Sequence, residues 1–353
     1  MVPEKMMASR FYAPGVMKFE EVPVPKITAG ELLVKIETTL TCGTDVKLYR
    51  RGHPLVTSLP MIIGHEFSGI VAAVGDNVEG FKEGMRVVAA NSAPCNACYY
   101  CKRGQPNLCG DVNRNLIGFS TQGAYAEYIR VPASIVKQNT HILPAGASFE
   151  EAALTEPSAC VVHGNELANI QLGDSVAVIG AGPIGLLHVQ LAKLNGAKDV
   201  VIVDMVKGRL NLALDLGATH AVDASQGDEV EKVKELTSQR GVDVAIEAVG
   251  SSPTWQKAVE MTRKGGTAVL FGGCPSGTTV SFNADKIHYQ ELTLKGVFHH
   301  TPAAVERVFN LITSGAIRIK PIITHHMPLR DVDKALELMA TGACIKAAIT
   351  APR

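Results

Sequence analysis

Two groups of residues in this 353-residue chain have the types and spacing of metal ligands. Cys95, Cys98, Cys101 and Cys109 stand in one short lobe. Four thiolates so spaced match a closed, tetrahedral structural zinc site. Paired disulfides need an oxidising compartment, and the leading residues show no secretory pattern. An iron–sulfur cluster also takes four cysteines, but the last spacing is longer than in the bacterial ferredoxin run. The second group is Cys42, in Thr41-Cys42-Gly43-Thr44-Asp45, with His65 and Glu66 in Gly64-His65-Glu66. Cysteine, histidine and glutamate are zinc-type ligands, and three protein ligands with one open position are what a catalytic zinc needs. A His-Glu pair alone is more often a surface or core pair. Its weight comes from its surroundings. Glu156, before Pro157, is either a fourth acidic ligand or a carboxylate at a helix N-terminus.

A third stretch binds rather than reacts. Val176-Ala177-Val178-Ile179 is an unbroken apolar run, as expected of a strand covered on both faces. Gly180-Ala181-Gly182-Pro183-Ile184-Gly185 follows and opens a helical pattern over 186–194. This is Gly-x-Gly-x-x-Gly in its required setting. Gly180 permits the turn, Gly182 lets a pyrophosphate approach the backbone, and Gly185 lets helix and strand pack closely. The helix N-terminus faces the phosphates. Asp204 ends the next apolar run, nineteen residues after Gly185, where an acid bonds the adenosine ribose. A carboxylate there repels a ribose phosphate, so NAD is expected over NADP. Arg209 either stacks on the adenine or accepts a phosphate.

Composition narrows the classes. Lysine plus arginine equals aspartate plus glutamate, 34 each, and no basic run points to nucleic acid or a membrane surface. Residues 1–10 carry Pro3, Glu4, Lys5 and Arg10 with no apolar stretch behind them, so a cytosolic protein is expected. The apolar stretch 176–194 is too broken by glycine, proline and charge for a membrane span.

The elements that must position these groups fall into two textures. Residues 8–40 and 67–90 read as short strands punctuated by turns, and 115–145 return to strand-like patterns, so an all-β, barrel-like region is expected. A helical stretch spans 149–168. From Asp174 strands and helices alternate, with strands at 200–203, 221–222, 243–249 and 267–271 and helices at 208–216, 229–238 and 254–263. That rhythm implies a doubly wound parallel sheet. Loops at its strand C-termini, at Val249 and at Phe271, Gly272 and Gly273, should line the nicotinamide crevice. A strand over 293–298 leads into His299-His300, which are either metal ligands or a cofactor-facing backbone beside a substrate-pocket side chain. Helices at 303–314 and 329–341 close the chain, and His325-His326 reads as a polar strand end without a role.

Taken in order, Cys42-Gly43-Thr44-Asp45, Gly64-His65-Glu66, the four-cysteine lobe, Glu156-Pro157, the Gly180 to Gly185 loop, Asp204 and Gly296-Val297-Phe298 resemble the zinc-dependent medium-chain dehydrogenase/reductases over essentially the whole chain. The resemblance implies a Rossmann domain (156–292) inserted in a mainly-β, GroES-like catalytic domain (1–155 and 293–353), with a structural zinc lobe at 92–112. It also implies homodimers or homotetramers. Two zinc ions are implied: a catalytic one on Cys42, His65, Glu66 and exchangeably Glu156, and a structural one on the four cysteines. NAD is implied on the glycine loop, Asp204 and the segment Val297, Phe298 and His299. Within the family, Gly-His-Glu, Glu156-Pro157 and the segment 319–325 look most like sorbitol (polyol) dehydrogenases. L-threonine dehydrogenases are close. Thr44 would pass a proton from the substrate hydroxyl towards the cofactor ribose and Lys47, which stands where both groups usually carry histidine. His299-His300 replaces Arg-Tyr of the polyol enzymes. The expected activity is interconversion of a secondary alcohol and its ketone with NAD. The alternatives are L-threonine or simple-alcohol oxidation, and a non-catalytic dinucleotide-binding protein.

Overall fold

The computed structural model describes residues 1–351, and two compact units emerge. One comprises residues 1–159 and the chain from His300 onward; the other is Cys160–His299. The boundaries expected at 155/156 and 292/293 fall a few residues earlier. The helix Thr155–Ala168 runs without a break through the first boundary, so no change of composition marks it.

The first unit is mainly β. Its largest sheet has seven strands, running His325–Pro328, Ala347–Thr350, Leu32–Leu40, Glu66–Val74, Arg86–Ala89 and Thr140–Ile142, with Tyr128–Val131 also paired on Leu32–Leu40. Leu32–Leu40 is the hub. It alternates little because both faces are covered, and it pairs antiparallel with three strands. Its register sets Leu40 opposite Glu66, which brings the Cys42 turn beside the His65 turn. A smaller sheet joins Val16–Pro23, Lys5–Ala13 and Met61–Ile62.

Two features depart from the sequence reading. The stretch 115–145, expected as strand, holds the helix Ala133–Asn139, started after Pro132 and burying Ile135, Val136 and Asn139. The helix expected over 149–168 is two, Phe149–Ala153 and Thr155–Ala168, separated at Leu154.

The second unit is a six-stranded, all-parallel sheet in the order His220–Asp223, Asp199–Asp204, Ser175–Ile179, Val242–Glu247, Thr262–Leu270, Thr293–Gly296. Ser175–Ile179 is buried throughout, as a central parallel strand must be. The order reverses direction at this strand, which places a ligand crevice at its carboxyl end. The last strand stops at Gly296, two residues short of the expected end. Among the described residues no helix is long and apolar enough to cross a membrane.

Candidate active site and dinucleotide site

Cys42 sits at the start of the helix Gly43–Arg51 and is its N-cap. Its Sγ accepts the Thr44 N–H at 3.4 Å, and Asp45 Oδ2 accepts the Cys42 N–H at 3.2 Å. This reciprocal cap fixes the cysteine against the backbone. His65 follows Gly64, whose φ is +90°. A Cβ on Gly64 would lie 2.9 Å from the Tyr125 ring, so only glycine lets the turn pass. The Cys42, His65 and Glu66 ligand atoms all lie within 4.8 Å of one another.

A second layer holds this set. Asp45 is fully buried, and its Oδ1 lies 3.1 Å from His65 Nδ1. Tyr125 Oη donates to Asp45 Oδ2 at 2.7 Å. With Nδ1 facing Asp45, Nε2 is the nitrogen left for a metal, the arrangement in which a carboxylate orients a ligating imidazole. Burial presses His65 towards neutrality, yet the charges of Asp45 and Cys42, with their hydrogen bonds, hold it well above the ordinary histidine range. Glu66 is fully buried. Its Oε2 accepts from Lys346 Nζ, which also donates to Thr41 O at 2.8 Å, while its Oε1 has no partner. Burial pushes the Glu66 carboxyl up against the pull of the Lys346 ammonium. A cysteine, an imidazole and a buried carboxylate with one oxygen unused converge there, and that donor set fits zinc.

Glu156 lies in the first turn of its helix, buried, and outside the Cys42–His65–Glu66 set. Its carboxylate is within 4.8 Å of a ring nitrogen of His300, and His300 Nε2 is 3.0 Å from Asn91 Oδ1. Burial pushes Glu156 up to about 7, with His65 pulling against it and Glu66 adding to the push. Thr44 is half-buried one residue into the helix, and Lys47 is exposed one turn further on.

The Cys95, Cys98, Cys101 and Cys109 sulfurs also lie within 4.8 Å of one another. Cys98 and Cys101 sulfurs are 3.6 Å apart and Cys95 and Cys109 3.5 Å, far beyond a disulfide bond. Backbone N–H groups of Ala97 and Cys98 bring the Cys95 thiol down to about 7, as suits a thiolate ligand.

In the second unit Gly182 caps the helix Pro183–Leu194, with Pro183 and Ile184 in its first turn. A Cβ on Gly185 would lie 1.7 Å from Gly180 O, so helix and strand touch backbone to backbone there. Asp204 is doubly held: Oδ2 accepts from Ala181 N at 2.6 Å and Oδ1 from Val206 N at 2.8 Å. Arg209 is half-buried in the following helix. Val249 and Phe298 are exposed, Gly272 and Gly273 follow Phe271, and Phe271 packs edge-on to His188 at 4.8 Å. Val297 precedes Phe298, and His299 takes a left-handed φ of 61°.

Asp45, Tyr125, Lys346 and Asn91 were not singled out for these roles from the sequence. The apolar run around Lys346 (Cys344-Ile345-Lys346-Ala347-Ala348-Ile349) carried a signal, because a lysine inside a buried run needs an anionic partner.

Known proteins agree with this geometry. Residues 28–141 match the family described as alcohol dehydrogenase GroES-like domain, and residues 183–314 that described as zinc-binding dehydrogenase. Sorbitol dehydrogenase of Bacillus subtilis is 34% identical over 352 residues, covering 98% of this chain and 97% of that protein. L-threonine 3-dehydrogenase of Bacillus licheniformis is 35% identical over 336 residues, covering 94% of each. A solved zinc-binding dehydrogenase structure from Sinorhizobium meliloti, bound to NADP, superposes with a TM-score of 0.92 at 32% identity, covering 99% of this chain and 100% of that one. Inserted parallel sheet, barrel-like partner domain and whole-length relatives together place the chain in the zinc-dependent medium-chain dehydrogenase family, as an oxidoreductase.

Proposed function

We propose that the protein interconverts a secondary alcohol of polyol or sugar type and its ketone, with zinc and NAD(H). The observation that carries this reading is the Cys42–His65–Glu66 set, half-buried at Cys42 and buried at His65 and Glu66, with one carboxylate oxygen unspent. When bound, zinc supplies the Lewis acidity that makes a substrate hydroxyl easier to deprotonate, and the nicotinamide accepts the hydride. Cys42, His65 and Glu66 hold the metal, and Asp45 keeps the His65 ring in the ligating orientation. Glu156 is the exchangeable acidic ligand. Thr44 would relay the substrate hydroxyl proton, its Oγ1 accepting that proton as it gives up its own towards solvent on the side of exposed Lys47, three residues on along the same helix face. Asp204, fixed by two backbone N–H groups, binds the adenosine ribose and selects NAD. The four cysteines hold a structural zinc, and the protein works as a homodimer or homotetramer in the cytosol.

L-threonine oxidation is the second reading, favoured by relatives as similar as the polyol enzymes. The test follows NADH absorbance with the zinc-loaded protein, offering NAD and NADP separately against sorbitol, xylitol, L-threonine and simple alcohols, each with a chelator control. Chelator-sensitive turnover of a polyol is expected; turnover of L-threonine alone moves the assignment. Cys42→Ser should lose one zinc and turnover together. Full metal content with full turnover in that variant would place the reaction elsewhere.

A further inference from the structure

Glu247 ends the strand Val242–Glu247 and is fully buried. Its side chain does not stay within its own strand. Oε1 accepts the Val249 N–H at 2.9 Å and the Gly250 N–H at 2.8 Å. Its backbone carbonyl accepts the Phe271 N–H at 3.1 Å and the Gly272 N–H at 2.9 Å. One residue thus ties down the loops after two neighbouring strands. The loops also touch each other. A Cβ on Gly272 would lie 2.3 Å from Gly250 N, and one on Gly250 would lie 2.5 Å from Gly273 O. Trp255, the only tryptophan of the chain, completes the lock by donating Nε1–H to Gly272 O at 2.9 Å. These loops lie at the carboxyl end of the parallel sheet, beside the strand-order reversal where such sheets bind ligands.

A buried carboxylate is costly to keep for shape alone, since its Oε2 has no partner at all. Oε1 nevertheless takes two N–H groups of a loop that would otherwise present them to solvent or ligand at random. We propose that Glu247 is the positioning residue of the dinucleotide site, holding the Val249–Gly250 and Gly272–Gly273 loops in binding geometry, with Trp255 as the strut between them. The proposal rests on the reading that these loops bind NAD. It assigns Glu247 no contact with the reacting atoms.

The unused Oε2 makes a clean test possible. Glu247→Gln keeps an acceptor for both N–H groups, whereas Glu247→Ala removes it. Calorimetric titration of NAD into the zinc-loaded protein is expected to show affinity weakened about tenfold in Glu247→Ala and held within about threefold in Glu247→Gln, by the loss or retention of two hydrogen bonds. In steady state the KM for NAD should rise in Glu247→Ala with the alcohol KM unchanged, a split that general loosening would not give. Trp255 emission should change on adding NAD to wild type and Glu247→Gln. If Glu247→Ala does not fold, Trp255→Phe, which keeps an aromatic ring but loses the Gly272 bond, should weaken NAD about threefold. Wild-type affinity in Glu247→Ala, or in Trp255→Phe when that variant must stand in, overturns the proposal. Equal loss in Glu247→Gln and Glu247→Ala overturns it too, by showing that charge rather than loop geometry matters. Absence of NAD binding by the wild type would instead remove the underlying dinucleotide reading.

Discussion

Replacing Lys346 by methionine tests the polar network beneath Cys42, His65 and Glu66. Lys346 is 2% exposed and its Nζ serves two acceptors, Glu66 Oε2 and Thr41 O. Burial alone would lower its pKa, but the Glu66 and Cys42 charges raise it above the ordinary lysine value, so the ammonium is kept. Methionine preserves much of the stem and removes the charge. Glu66, whose Oε1 already lacks a partner, is then left without a side-chain hydrogen bond, with the neighbouring His65 charge to offset it in part. Breaking a buried ion pair from one side costs about 3–5 kcal/mol. For a unit of this size each kcal/mol moves the melting temperature by about 2–4 °C, so the metal-free Lys346→Met protein should melt roughly 6–20 °C lower. Two further variants locate the cause. Lys346→Met with Glu66→Gln removes both charges and should recover most of the loss. Zinc should stabilise Lys346→Met more than wild type, because the released carboxylate gains the metal as its counter-charge. The assay is thermal unfolding of the three proteins with chelator and with zinc, beside a colorimetric zinc titration. A metal-free Lys346→Met protein melting within about 2 °C of wild type would refute the reasoning, as would a double variant no more stable than the single one.

Further outcomes follow from the other parts of the molecule. Cys98→Ser should lose the lobe metal and lower the melting temperature while the remaining folded protein turns over normally; normal melting with abolished hydride transfer would contradict a structural lobe. Asp204→Ala, which frees the Ala181 and Val206 N–H groups, should weaken NAD about tenfold and narrow its preference over NADP, read from the ratio of kcat/KM values. Asp243 is only 15% exposed; burial raises its pKa, but bonds from Ser175 and Arg263 win and hold it at about 2, below its ordinary 3.8. A depressed folded pKa gives stability that is present above pH 4 and lost as the pH falls through 2, so this carboxylate should contribute about 2 kcal/mol at neutral pH. The urea stability gap between wild type and Asp243→Asn should therefore close between pH 4 and 2, and a gap that stays constant would remove Asp243 as its source.

The sequence made some of this plain because the partners were neighbours in the chain. Cys95 to Cys109 and Gly180 to Gly185 each lie within one turn region, so spacing alone constrains their geometry. The parallel sheet was legible for a similar reason: strands covered on both faces are unbroken apolar runs, and helices separate them at regular intervals. The helix Ala133–Asn139 was not, because it is short, opens at a proline and carries β-branched Ile135 and Val136 that read equally as strand. The first boundary, inside the helix Thr155–Ala168, left no linker to see.

What spacing could not supply is the support behind Cys42, His65 and Glu66. His65 is held by Asp45, twenty residues earlier, and Asp45 by Tyr125, eighty residues later. Glu66 meets Lys346 across 280 residues, because the Leu32–Leu40 strand pairs with Glu66–Val74 on one side and with Ala347–Thr350 on the other. No local pattern encodes such a meeting, but a weaker signal exists. Lys346 lies inside, and Glu247 closes, a run of residues that the fold buries. A charge at such a place must find a partner or cost several kcal/mol. Each therefore announces a contact without naming it. Lys346 found the Glu66 carboxylate. Glu247 found the loop N–H groups of the dinucleotide unit. Lys346 meets Glu66 and Glu247 meets the Val249 and Gly250 N–H groups, and the register of the sheets decides which groups each one reaches.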